Sequence, residues 1–298
     1  EAGGMLKMDF LGLRTLTIID KCLKLIEKAR GIRVDIDSIP LDDKATFDGV
    51  FKNANTKAVF QFESGGMQDM LVQARPDRLE DLIALNALYR PGPMDLIPSF
   101  IARKHGRERV TYPHPSMEKV MAETYGIMVY QEQVMQTAQV VAQYSLGGAD
   151  LLRRAMGKKK KEEMDQQRAV FVAGAAGNDI SEKLANEIFD TMEKFAGYGF
   201  NKSHAAAYSL VAYHTGWLKV HYTAEFYCGN MTVEMDNTDK LKVLYEDALK
   251  MGISFESPDV NRGHYRFEAI TDKSIRYGLG AVKGTGQQAI AAIVAARE

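Results

Sequence analysis

Little in this sequence supports an extracellular, membrane-spanning or metal–thiolate protein. Only two of its 298 residues are cysteine, Cys22 and Cys228, far apart and with no Cys-x-x-Cys spacing. That excludes a disulfide framework and a cysteine zinc site, and it fits a reducing compartment. No apolar run approaches the ~20 residues that span a bilayer, and the N-terminus lacks the basic and apolar regions of a signal peptide. A cytoplasmic protein without membrane contact is the expectation. Charge of one sign is also missing: 38 Lys+Arg stand against 39 Asp+Glu, a net charge of −1. Any nucleic-acid contact must therefore come from local clusters rather than a bulk field. The six histidines include no pair at helical spacing for a shared metal, and there is no Gly-x-Ser-x-Gly elbow for acyl transfer.

What is present is the balance of a folded globular chain, with 46% hydrophobic, 26% charged and 9% aromatic residues. The length fits two domains or one large one. The chain opens Glu1-Ala2-Gly3-Gly4 without Met, and residues 287–298 read as a helix with no Gly or Pro stop. A piece of a longer protein is expected.

Residues 5–11 alternate, with Leu6, Met8 and Phe10 on one face and Lys7, Asp9 and Leu11 on the other. That period of two predicts a short strand. Leu16, Ile19, Leu23 and Ile26 then recur at helical spacing, with Gly31 as the stop and Asp42 as a cap for the next helix. Further helices are predicted over residues 96–105, 131–143 and 148–156, the last stopped by Gly157. Asp77 through Glu80 reads as a capping box. Ser181 is read as the cap of a helix ending near Gly197, Ser203 as the cap of one reaching Tyr222, and Thr238 as the cap of another. Residues 253–277 read as loops with short strands. The expected class is mainly α, with a multi-helix domain, a short β-strand at the N-terminus and a small mixed α/β segment near the C-terminus.

Several residues have chemistry to offer, and each also has a plain structural reading. Asp9 could hold a divalent cation and Lys7 meet a phosphate, but one carboxylate does not make a magnesium site. Asp35-Ile36-Asp37 lies among turn residues and reads as a loop. Arg153, Arg154 and Lys158 to Lys161 place six positive charges in nine residues with no acid among them. Cations near a helix C-terminus are favoured by the dipole, yet such a run also suits phosphates. In Gly197-Tyr198-Gly199-Phe200-Asn201-Lys202-Ser203-His204, Lys202 and His204 flank a predicted helix N-terminus, where bare N–H groups attract anions. A Walker A loop is excluded because Asn201 stands where glycine is required. Pro91 and Gly92 leave Arg90 on a stiff loop after a helix, a suitable phosphate clamp. Residues 278–286 carry Lys283 where a dinucleotide fingerprint needs glycine, so Lys283, Gly284 and Gly286 are left as a weak DNA-phosphate seat.

All of these sites suit one ligand class, phosphate. The stretches Lys7-Met8-Asp9-Phe10-Leu11-Gly12-Leu13, Arg90-Pro91-Gly92-Pro93, Tyr130-Gln131-Glu132-Gln133-Val134-Met135, Leu151-Leu152-Arg153-Arg154-Ala155-Met156-Gly157-Lys158-Lys159 and the 197–204 segment resemble the alpha subunits of bacterial DNA polymerase III, the C-family replicases. The resemblance covers nearly the whole chain. It implies that residues 1–13 end a palm domain, 14–227 form the fingers and 228–298 begin a helix-hairpin-helix region. It implies that Asp9 is a catalytic carboxylate and Mg²⁺ ligand with Lys7 beside it. It also implies that Arg90, Arg153, Arg154, Lys158, Lys202, Ser203 and His204 face incoming dNTP and primer-template DNA. The family's Pro-Asp-x-Asp-x-Asp motif is absent from this chain, so the chain alone is expected to be inactive, with other replicase subunits bound through regions outside it. The alternative is a non-enzymatic helical module that binds nucleic acid or docks an acidic protein.

Overall fold

The computed structural model describes residues 2–197, 199–282 and 286–297, with side chains from residue 12 onward. Two compact units emerge. One is built from residues 1–77 and 210–298, the other from residues 78–209.

In the first unit, α1 (Ala2–Arg30) contributes Ile19, Cys22 and Ile26 to the core. A three-residue helical turn, α2 (Lys44–Thr46), and α3 (Gly65–Ala74) follow. The elements after residue 209 then complete the unit. The near-complete burial of residues 224–231 makes α12 (Thr223–Val233) its central helix. A β-carbon at Gly229 would stand 2.7 Å from Cys22 Sγ, so the bare glycine lets α1 and α12 pack closely. Arg30 at the end of α1 forms a two-pronged salt bridge to buried Glu225, at 2.8 and 3.1 Å. Next comes α13 (Thr238–Lys250), then a small sheet of β1 (Ser254–Glu256), β2 (Glu268–Thr271) and β3 (Ser274–Arg276) in the order β1-β3-β2. The β1–β3 pair is parallel and the β2–β3 pair antiparallel, with Ile275 opposite both Phe255 and Ala269. The chain continues to α14 (Gln287–Arg297).

The second unit runs from α4 (Leu79–Leu88) and α5 (Ile97–Lys104) through the short α6 (Glu118–Met121) to α7 (Gln131–Ala142), α8 (Leu146–Lys158), α9 (Lys161–Ala176) and α10 (Glu182–Ala196). Residues 202–209 of α11 (Lys202–His221) belong to it as well. Val134 and Ala138 of α7, Leu152 and Met156 of α8, Phe171 of α9, and Phe189 and Met192 of α10 form its core. Gly174 has no room for a side chain: a β-carbon would fall 2.0 Å from the Ala142 carbonyl oxygen, which sets how closely α9 crosses α7.

The chain is mainly α with a small mixed sheet near the C-terminus, as the sequence predicts, but several local expectations change. Residues 5–11 lie within α1 rather than forming a strand. Seven alternating residues need a ladder partner to stay extended, and among the described residues the sheet is built wholly from residues 254–276. Helical spacing links Leu6, Phe10 and Leu13 just as well. Asp43, not Asp42, caps α2, accepting from the Thr46 amide at 3.0 Å. Arg78, not Asp77, is the N-cap of α4. Gly157 sits inside α8, and the left-handed Lys159 (φ 54°) closes it. Asn237 caps α13 in place of Thr238. Ser181 does cap α10, which ends at Ala196. Asp35 caps a single 3₁₀ turn and accepts from Asp37 and Ser38, so the Asp-x-Asp is a loop feature.

Candidate functional site

The site begins with how α11 starts. Asn201, one of the strongest capping residues, accepts from the His204 amide at 2.9 Å. The helix therefore opens at Lys202, and Ser203 is an exposed first-turn residue rather than the cap. Just upstream, Phe200 pairs in a short parallel bridge with Tyr130, and its carbonyl accepts from the Gln131 amide at 3.0 Å. Gly199 is required here, because a β-carbon would stand 2.8 Å from Gln131 Cγ. Residues 199 and 200 of the second motif thus pack against residues 130 and 131 of the first.

Two carboxylates meet Lys202. Its backbone amide donates to Glu132 Oε2 at 2.6 Å, and its ammonium to Glu123 Oε1 at 2.7 Å. The ammonium also lies 5.7 Å from the Tyr130 ring centroid. Burial, then the charges of Glu123 and Glu132, push the Tyr130 phenol well above its ordinary value, so it stays protonated at neutral pH. Gln133 fastens the loop to α7: its side-chain oxygen accepts from the Val129 and Tyr130 amides, and its amide donates to Thr124.

Arg90 joins the same surface. Gly92 turns the chain with φ 99°, a conformation suited to glycine, and Pro93 opens the next turn. Arg90 donates to the Ala87 carbonyl at 2.9 Å, and its guanidinium stacks 4.8 Å from the Phe200 ring centroid. Burial pushes it down from its ordinary value, although an arginine stays charged. His204 sits between the rings of Phe200 and Tyr208, at 5.6 and 4.5 Å. At the end of α10, a β-carbon at Gly197 would stand 3.7 Å from the Lys159 ammonium.

Arg153 and Arg154 share Asp150 as counter-ion, each at 2.9 Å. Hydrogen bonding from Arg153, reinforced by both guanidinium charges, holds the Asp150 carboxyl below its ordinary value. Lys158, one turn on, is exposed. The site residues that sequence reasoning overlooked are acids and aromatics. Glu123, Glu132, Tyr130 and Phe200 show their roles only once distant segments meet, whereas Asp150, just before the basic run, stands at helical spacing from both arginines.

Lys7 and Asp9 lie on the part of α1 whose side chains are outside those described, and Lys283 and Gly284 are outside the described residues; Gly286 directly precedes α14. Among the described residues no three His, Cys, Asp or Glu side chains converge. No helix among them is long and apolar enough to cross a membrane.

Residues 15–179 match the bacterial DNA polymerase III alpha subunit finger domain. The chain belongs to this family. Residues 252–298 match a helix-hairpin-helix motif. The whole chain is 57% identical to the DNA polymerase III subunit alpha of Neisseria meningitidis serogroup B, 54% to that of Escherichia coli K12 and 54% to that of Haemophilus influenzae. It spans 26% of the length of each of these relatives. The fingers family thus covers α4 through α9 and the Arg90, Glu123, Glu132 and Arg153 positions, while the 197–204 turn lies just beyond that match.

Proposed function

We propose that this chain is the fingers portion of a bacterial replicative DNA-directed DNA polymerase, with residues 1–13 closing the palm, 14–227 forming the fingers and 228–298 opening the helix-hairpin-helix region. Its task is to bind the incoming dNTP and the primer-template for nucleotidyl transfer. The observation that carries this reading is the gathering of Arg90, Lys202 and His204 about Phe200, Tyr130 and the first turn of α11.

Phosphoryl and nucleotidyl transfer depend chiefly on positioning and on positive charge placed where phosphate negativity develops. Arg90, held against Phe200, offers a guanidinium of fixed direction. Lys202 offers a flexible ammonium, and Ser203 and His204 offer polar groups from the first turn of the helix. Arg153, Arg154 and Lys158 present a second basic face on α8, suited to the regular phosphates of a DNA strand. Lys283, Gly284 and Gly286, ahead of α14, are a weaker DNA-backbone contact. Lys7 is a further phosphate contact, and Asp9 contributes one carboxylate to a magnesium cradle completed by residues elsewhere; with both in α1 rather than on a strand, residues two apart no longer share a face. Bound Mg²⁺ supplies Lewis-acid polarisation of phosphoryl oxygens. With one carboxylate of that cradle, the chain alone does not extend primers. The whole protein works in the cytoplasm with other replicase subunits.

A salt titration of fluorescent primer-template with this chain tests the binding half of the reading. Affinity should fall steeply as salt rises, because phosphate contacts release counterions; a flat response contradicts it. Arg153→Ala together with Arg154→Ala in a full-length polymerase should lower incorporation sharply. Unchanged incorporation would favour a basic run that docks an acidic protein.

A further inference from the structure

The two acids on Lys202 are not equivalent. Glu132 holds the backbone amide of Lys202, and it is itself in the first turn of α7. Its charge is therefore favoured by two helix N-termini at once. Losing it would leave the Lys202 amide without this acceptor, although Asn201 would still cap α11. Glu123 holds only the side-chain ammonium, and both partners are about one-third exposed, at 32% and 38%. A pair this open is worth at most about a fivefold change in an equilibrium. The main chain at Glu123 is anchored independently: Arg78 donates to its carbonyl at 2.7 Å, and Thr124 is held by Gln133. The carboxylate can therefore swing away by side-chain rotation without moving the loop.

We propose that Glu123 is an exchangeable counter-ion for Lys202, which it holds until a phosphate of the incoming nucleotide takes its place, while Glu132 remains as the fixed seat of α11. The inference rests on the reading of Lys202 as a phosphate ligand. A multiply charged phosphate outcompetes a single carboxylate for an ammonium, whereas a weak anion does not. Glu123 thereby sets the charge a ligand must carry to enter, which makes it a specificity-determining residue rather than a catalytic one.

The test is steady-state incorporation by a full-length alpha subunit carrying this chain, at saturating primer-template, with dNTP varied. Glu123→Gln should lower the KM for dNTP by roughly two- to fivefold, with kcat unchanged, and the gain should vanish in a Lys202→Ala background, as expected of directly coupled residues. Glu123→Ala should behave alike. If Lys202→Ala raises KM but Glu123→Gln leaves it unchanged or raises it, the counter-ion role is wrong and the phosphate reading of Lys202 survives. If Lys202→Ala leaves KM unchanged, the phosphate reading itself is wrong. If both Glu123 variants fail to fold, as judged by thermal melting, the carboxylate is structural and not exchangeable.

Discussion

Glu132 and Lys202 are seventy residues apart in sequence, yet the Glu132 carboxylate accepts from the Lys202 amide at 2.6 Å. That bond holds the first amide of α11, whose start the Asn201 cap sets, and the two together seat the turn that carries Lys202 and His204. A carboxylate of the protein thus occupies the kind of position that draws anions to helix N-termini, while the Lys202 ammonium, paired at the surface, is left as the group that meets a ligand.

Asp150 neutralises part of the basic face of α8. Asp150→Asn should strengthen binding of primer-template by the chain and steepen its salt dependence, since Arg153 and Arg154 lose their common partner. Titration of the carboxyl carbon by NMR should place Asp150 below the ordinary aspartate value of 3.8. Whatever this carboxylate contributes to stability is present above the ordinary aspartate range and is lost as pH falls through the lowered value.

Lys219 is fully buried, with its ammonium 2.9 Å from Asp247 Oδ2 and 2.9 Å from the Lys57 carbonyl, while the Tyr227 hydroxyl donates to the same Asp247 oxygen. Removing one member leaves an uncompensated buried charge. Lys219→Ala should therefore destabilise the first unit by about 3–5 kcal/mol, measured by urea unfolding. Lys219→Met with Asp247→Leu should recover part of the loss.

Burial pushes the His214 imidazole below its ordinary value of 6.5, with Asp37 pulling the other way. The unfolded chain then binds a proton more readily than the folded one, so this histidine's contribution is complete above pH 6.5 and declines as pH falls toward the lowered value. Melting temperature should drop between pH 7 and 5, and His214→Gln should reduce that drop. An unchanged pH dependence in the variant would contradict the assignment.

Much of this was readable from residue order, for physical reasons. Ser181, Pro91 and Gly92 act on their immediate neighbours, so the start of α10 and the loop bearing Arg90 follow from local sequence. The span of α7 follows from its apolar spacing. Asn201 displaced Ser203 as the α11 cap because capping strength is similar for both and only the surrounding packing selects one. Residues 161–176 carry few large apolar residues and begin in a charge run, which hid α9; its burial rests on Met164, Phe171 and Ala175, with Gly174 at the crossing. The alternation at residues 5–11 points to a strand, but Leu6, Phe10 and Leu13 also stand at helical spacing, and the segment lies in α1. The pairing of Lys202 with Glu123 depends on two segments 79 residues apart, a distance over which side-chain spacing carries no information.

The measurement closest to the central claim is the KM for dNTP of a full-length alpha subunit carrying this chain with Lys202→Ala. If the α11 cluster grips the triphosphate, KM should rise by about tenfold or more, as for the loss of a charge-assisted contact of about 1.5–3 kcal/mol, with the melting temperature unchanged. A KM equal to that of the parent enzyme would contradict the account.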